Sequence, residues 1–249
     1  MRIIKKQMHN YGEADFDADY LTWGFHDLNT QIEEAESILH LIKSTEPQKI
    51  LDLAGGIGIH AITWAKNGHT VLGMDISETF IAKATESAKE IPSVSFLVSD
   101  IKSLNLADKF NVITWIEMSF IDADILLKIY NLLQPGGCFI CDIRNSEHPR
   151  YKAQSGNWRT WREENGVFKL ERHETNLQTG KREDVWITID PQNEIIEEKS
   201  NISDSGLKTE KILSELQNAG FTNCALYTMA GDLFTNGCEP YWLWIVAQK

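Results

Sequence analysis

No stretch of the 249 residues approaches the ~18 consecutive apolar residues that a membrane-spanning helix needs. The opening segment, MRIIKKQMHNYGEADFDADY, has no apolar core of the kind a secretory signal carries. A cytoplasmic location is therefore expected, and the sequon Asn201-Ile202-Ser203 has no secretory context to give it meaning. Cysteine is sparse, with four residues. Cys138 and Cys141 lie in GGCFICDI, which reads as a strand. An odd spacing of three puts their thiols on opposite faces, which argues against a shared metal or a redox dithiol and for buried, reduced cysteines. Positive charge is outnumbered, 24 Lys and Arg against 36 Asp and Glu, for a net charge of −12. Without a basic stripe, a nucleic-acid partner is not expected. Asp15, Asp17 and Asp19 outline a calcium loop, but its sixth position is Tyr20 and its twelfth His26, where glycine and glutamate are needed. No metal site is expected. Internal repeats and low-complexity segments are also missing.

What remains is an ordinary globular composition, 42% hydrophobic and 24% charged, enough for one substantial core with a small insert. Residues 20 to 43 read as a helix, with Ile32, Ala35, Ile38, Leu39 and Ile42 on one stripe. KILDLA, TVLGMDIS, VSFLVSD, NVITWIEM and CFICDIR then read as strands. Helices HAITWAKNG, ETFIAKATESAKEI and DADILLKIYNLLQPGG lie among them, the last stopped by Pro135 and Gly136. This alternation predicts a doubly wound α/β core with a mostly parallel sheet, and ligands beyond the strand C-termini. After Asn145 the rhythm changes. VFKLERHET, REDVWITID and EIIEEKSNIS alternate as strands between turns at Asn165-Gly166, Gln178-Thr179-Gly180 and Pro191-Gln192-Asn193. They predict an inserted antiparallel meander. A helix, TEKILSELQNAGF, and two strands, CALYTMA and PYWLWIVAQK, close the chain. The expected division is 1–145 with 205–249 as the α/β domain, and 146–204 as the insert.

The glycine loop in ILDLAGGIGIH admits two ligands. Gly56-Ile57-Gly58-Ile59-His60-Ala61 fits the dinucleotide pattern, with Asp75 at the ribose distance. Against a pyrophosphate stand Asp52 just before the loop, the lack of Lys or Arg in it, and a further acidic strand end at Asp100. Asp52, Asp75 and Asp100 line up at the ends of three successive strands, which suits a cationic ligand carrying an adenine amine.

ILDLAGGIG, GMDIS, VSFLVSDI and LLQPGG, in this order, resemble the class I S-adenosylmethionine-dependent methyltransferases over residues 49 to 143. Ala54 stands at the first glycine of that family's D-x-G-x-G-x-G loop. The resemblance implies a Rossmann-like fold with a seven-stranded sheet and S-adenosyl-L-methionine as cofactor. It implies Gly55, Gly56 and Gly58 beside the methionine part, Asp75 and Ile76 at the ribose, Asp100 and Ile101 at the adenine, and the segment from Ile116 to Ser119 near the methionine. Tyr11 and Trp23 would belong to an aromatic N-terminal lid. His148, His26 and Tyr20 are the candidate base or orienting groups. The meander is similar to that of small-molecule methyltransferases acting on amino sugars and glycine, where it covers the acceptor or supports dimer contacts. The acceptor is then a small molecule methylated at nitrogen or oxygen, and a homodimer is admitted. WIEM stands where an Asn-Pro-Pro-Tyr motif would mark nucleobase or glutamine methylation. The rivals are an NAD(P)-dependent oxidoreductase and a cofactor-binding module without catalysis.

Overall fold

The computed structural model describes residues 1–7, 28–42, 44–118, 121–149, 155–163, 165–176, 178–203 and 208–249. In chain order its elements are β1 (Arg2–Gln7), α1 (Leu28–Ile42), β2 (Lys49–Leu53), α2 (Ile59–Lys66), β3 (Thr70–Asp75), α3 (Glu78–Ser87) and β4 (Val94–Val98). A 3₁₀ turn (Ile101–Ser103), β5 (Phe110–Trp115), α4 (Ala123–Leu132) and β6 (Leu133–Arg144) follow. Then come β7 (Ser155–Arg162), β8 (Phe168–Thr175), β9 (Arg182–Asp190) and β10 (Ile195–Ser203). The last are α5 (Thr209–Asn218), β11 (Thr222–Thr228), β12 (Leu233–Phe234) and β13 (Trp242–Gln248). Contacts divide the chain into two compact units: Met1–Asn10 with Arg144–Thr209 and Gly237–Tyr241, and Tyr11–Ile143 with Glu210–Asn236 and Trp242–Lys249.

The larger unit is built on an eight-stranded sheet of order β12-β11-β13-β6-β5-β2-β3-β4. Its central strands earn their place by composition: β2 and β5 are buried along nearly their whole length, as strands covered on both faces must be. The pairs β2–β3, β3–β4, β2–β5 and β5–β6 are parallel. From β2 the chain winds outward through β3 and β4, then returns to β5 and β6 on the other side. The strand order therefore reverses between β2 and β5, and that switch point is where an open α/β sheet forms its ligand crevice. On one face, the Trp64 indole of α2 donates to the Ala35 carbonyl of α1 at 2.9 Å, and both are fully buried beside Ile38, Val112 and Trp244. Among the described residues no helix is long and apolar enough to cross a membrane.

The expected doubly wound core is present, with three corrections. The sheet has eight strands rather than seven, because Leu233–Phe234 pairs with β11 as a two-residue edge. Pro135 and Gly136 do not end α4 in a loop. The helix ends at Leu132, and both residues lie inside β6, where the register jumps between Phe110↔Leu133 and Val112↔Cys138 to absorb them. The third correction concerns the N-terminal residues, assigned by sequence to the α/β domain. Residues 2–7 instead form β1, which pairs in parallel with β10, from Arg2↔Ile195 to Gln7↔Ser200.

The smaller unit is the meander, a five-stranded sheet of order β1-β10-β9-β8-β7. The three turns form where expected. Asn165, Asn176 and Asp190 each turn a side-chain oxygen back onto backbone N–H groups, closing the hairpins. Its two faces are inverted relative to a simple sandwich. Lys169, Glu171, Arg182, Asp184 and Lys199 are buried, whereas Ile3, Trp158, Phe168 and Ile202 are exposed. The charged face is kept together by pairing. His173 bonds Asp184 through Nδ1 and lies 2.6 Å from Glu171 through Nε2, while Arg182 reaches Asp184 at 2.6 Å. Burial by itself would lower the His173 pKa, but its bonds to Asp184 and Glu171 outweigh that and raise it.

Candidate cofactor site

The candidate site occupies the C-terminal ends of β2, β3, β4 and β5. Asp52, inside β2 and 1% exposed, accepts a hydrogen bond from the Thr114 hydroxyl of β5 at 2.8 Å through Oδ1. Its other oxygen, Oδ2, is buried with no hydrogen-bond partner. Burial pushes the Asp52 carboxyl up to about 6, against the lowering influence of His60 and the Thr114 hydroxyl, with the charge of Asp75 adding to the rise. Such an orphaned oxygen is costly unless something pairs with it.

The turn after β2 shows what each small residue does. Ala54 adopts a left-handed φ of 53°, a conformation that a glycine enters without penalty, so the departure from the family loop is a strained one. At Gly55 a Cβ would lie 2.7 Å from Asp52 Oδ2, so a side chain there would displace the buried carboxylate. Gly58 opens α2 at φ 79°, and its Cβ would lie 2.6 Å from the Phe96 ring and 2.9 Å from Ala84. Gly58 is therefore a packing glycine. Gly56, at φ 54°, has nothing within 4 Å of the place a Cβ would take, so of the three only its side of the loop stands open to a ligand.

Asp75 ends β3 and braces that turn. Its Oδ2 accepts from Gly56 N–H and its Oδ1 from Ser77 N–H, each at 2.9 Å. Ser77, not Asp75, caps α3, accepting from Phe80 N–H at 3.0 Å. Ile76 between them is 39% exposed, an apolar surface at the strand mouth. Asp100 follows β4, caps the 3₁₀ turn through Lys102 N–H at 2.9 Å, and sets Ile101 in that turn. Ser99 N–H bonds the Asp75 carbonyl at 2.8 Å, which ties the two acidic strand ends together. Ile116 follows β5 and is half-buried.

Of the base candidates, His148 belongs to the smaller unit, its Nε2 2.8 Å from Glu239 Oε2 and its ring edge-on to Tyr241. Tyr11, Tyr20, Trp23 and His26 lie outside the described residues, as do Asp15, Asp17, Asp19 and Ser119. Among the described residues no group of three or more His, Cys, Asp or Glu could hold a metal ion. All four cysteines are free thiols, and burial pushes Cys138 up to about 11.

Residues 50–137 match the family model described as a methyltransferase domain. That stretch is similar to a methyltransferase domain. The resemblance to S-adenosylmethionine-dependent methyltransferases read from the sequence thus holds. Phosphoethanolamine N-methyltransferase of Triticum aestivum is 33% identical over 98 residues, which are 37% of this chain. That match spans 19% of the wheat protein's length. The fold resembles that of the CcbJ methyltransferase from Streptomyces caelestis, with a TM-score of 0.71 at 18% identity over 87% of this chain and 88% of that one. It also resembles CalS10, an amino pentose methyltransferase from Micromonospora echinaspora solved with S-adenosylmethionine bound. There the TM-score is 0.63 at 17% identity, covering 97% of this chain and all of that one, 100%. The matched stretch thus contains the whole row from Asp52 through Ile116. Thr114, which holds Asp52, was missed in the sequence, because it belongs to no recognisable pattern.

Proposed function

We propose that the protein transfers the methyl group of S-adenosyl-L-methionine to a nitrogen of a small, amine-bearing acceptor. The observation that carries this reading is the pairing of an open Gly56 with a buried, unpartnered Asp52 oxygen at the strand-order switch. A pyrophosphate would meet a carboxylate there, whereas the cationic methionine arm would complete it. The residues fit that cofactor: Asp75 ends β3 with a carboxylate that can accept from ribose hydroxyls, Ile76 and Ile101 offer apolar surface for the adenine, and Asp100 can accept from its amine. When bound, the cofactor supplies a methyl on a positively charged sulfur, so the acceptor lone pair forms a C–N bond as the C–S bond breaks. The protein has to align donor and acceptor and let the amine lose a proton. His148, which follows β6 in the sequence, and Tyr20 and His26 are the groups we assign to that proton and to orientation, and Tyr11 and Trp23 are assigned to the cofactor.

Nitrogen is preferred to oxygen because the wheat relative and CalS10 bear names of phosphoethanolamine and amino pentose methylation. The meander is assigned to acceptor cover or to dimer contact, and the four free thiols suit a cytoplasmic enzyme. Calorimetric titration with S-adenosylmethionine and NAD tests the cofactor. Binding of NAD in place of S-adenosylmethionine would overturn this reading. Release of S-adenosylhomocysteine with ethanolamine phosphate, glycine or amino sugars tests the acceptor class.

A further inference from the structure

His60 lies in the first turn of α2, two residues after the Gly58 cap, and the site described above gives it no part. Its Nε2 is buried with no hydrogen-bond partner and stands 3.6 Å from Glu34 Oε2 of α1. One turn further along α2, Trp64 donates to the carbonyl of Ala35, the residue after Glu34, at 2.9 Å. The same two helices are thus clasped twice, and Glu34 is kept beside His60. The imidazole also rests against the Trp64 indole, with ring centroids 5.8 Å apart. The second acid near this turn is Asp52. Its Oδ2 lies under the loop at Gly55, three residues before the cap of α2. A positive His60 favours the ionised form of Asp52, against the stronger effect of burial. Glu34 of α1, Asp52 of β2 and, acting on Asp52, Asp75 of β3 are the charges around His60. Strand β4, Val94–Val98, carries no charged residue, and Lys66 lies in the last turn of α2.

We propose that His60 is a positioning residue for cofactor capture: anchored by Glu34, its imidazolium keeps the Asp52 carboxylate charged for the cationic arm of S-adenosylmethionine. This rests on the reading of the site given above and adds to it a dependence on pH. Without the imidazolium, burial and the charge of Asp75 act on Asp52 with only the Thr114 hydroxyl to oppose them. The carboxyl then takes up a proton at a higher pH. A protonated Asp52 is neutral and offers a cation no charge, so the proton must leave before the cofactor can be held. Capture therefore weakens as pH falls, and does so earlier without His60 than with it.

Calorimetric titration of S-adenosylmethionine between pH 5.5 and about 8 tests this, with wild type, His60→Gln and His60→Lys side by side. In wild type, affinity should fall as pH drops through about 6, where Asp52 takes its proton. His60→Gln should move that midpoint upward by about one pH unit, weaken binding about fivefold at pH 6, and leave affinity at pH 8 within about twofold. His60→Lys, which keeps a positive charge in the same turn, should bring the midpoint back. A loss equal at every pH in His60→Gln would show that the ring only packs, and would overturn the inference. An unchanged midpoint in His60→Gln, an equal shift in both variants, or a wild-type affinity flat through pH 6 would do the same. If His60→Gln does not fold, the reverse coupling decides. By NMR of the His60 ring, Asp52→Asn should lower its titration midpoint, and no movement there would end the inference. A wild-type protein that binds no S-adenosylmethionine at any pH would instead remove the reading of the site, and this inference with it.

Discussion

Gly56 and Gly58 look alike in the sequence, but alanine at each should fail in a different way. Alanine at Gly58 must hold φ 79° and put its methyl 2.6 Å from Phe96 and 2.9 Å from Ala84. The backbone costs roughly 1–2 kcal/mol and the overpacking another 1–3 kcal/mol, for a total of about 2–5 kcal/mol. Alanine at Gly56, at φ 54° with nothing within 4 Å, carries only the backbone cost of roughly 1–2 kcal/mol. Its methyl points into the open side of the loop, so S-adenosylmethionine affinity should fall by more than about tenfold, or 1.4 kcal/mol. Urea unfolding gives the first quantity and calorimetry the second. Two variants equal in stability to within about 0.5 kcal/mol would refute the division of roles, as would unchanged cofactor affinity in Gly56→Ala.

Asp52 is an acid whose folded pKa, about 6, stands above its ordinary 3.8, so its contribution favours folding at low pH and is lost as pH rises through that window. Asp52→Asn should therefore raise stability at pH 7.5 by up to about 3 kcal/mol while weakening S-adenosylmethionine; unfolding curves at about pH 3 and pH 7.5 would show the gain only at the higher pH. Ala54→Gly should stabilise the domain by about 0.5–1 kcal/mol through relief at φ 53°, read as a higher melting temperature. His173 has a raised pKa, so its contribution to meander stability is complete below its ordinary 6.5 and fades as pH climbs through the folded value. Two-dimensional NMR of the histidine ring should locate that midpoint above 6.5, and a midpoint below it would contradict the paired geometry.

The parallel core was legible because its central strands β2 and β5 are apolar on both faces and strands alternate with helices, α3 and α4 carrying side-chain caps from Ser77 and Asp122. The acidic strand ends could also be read directly, since Asp52, Asp75 and Asp100 each precede a turn. What escaped depends on contacts distant in sequence. The role of Gly58 needs Phe96 from β4, the orphan on Asp52 needs the Thr114 bond to take up its other oxygen, and β1 is defined by a partner strand rather than by its own alternation. Pro135 misled because proline usually stops a helix, whereas here the strand begins two residues before it and its register shifts around it.

The parallel pairing of β1 with β10 has a consequence for the order in which the chain can assemble. Lys5 meets Glu198 across a separation of 193 residues. At 5–20 residues per second, a ribosome takes about 10–40 s to make that interval. Throughout that time residues 2–7, which carry the apolar Ile3 and Ile4, have no strand to join. The meander's outer seam can close only after the α/β strands β2 to β6 have been made. Early residues thus complete a late sheet, and shielding them in the interval falls to whatever first meets the nascent chain.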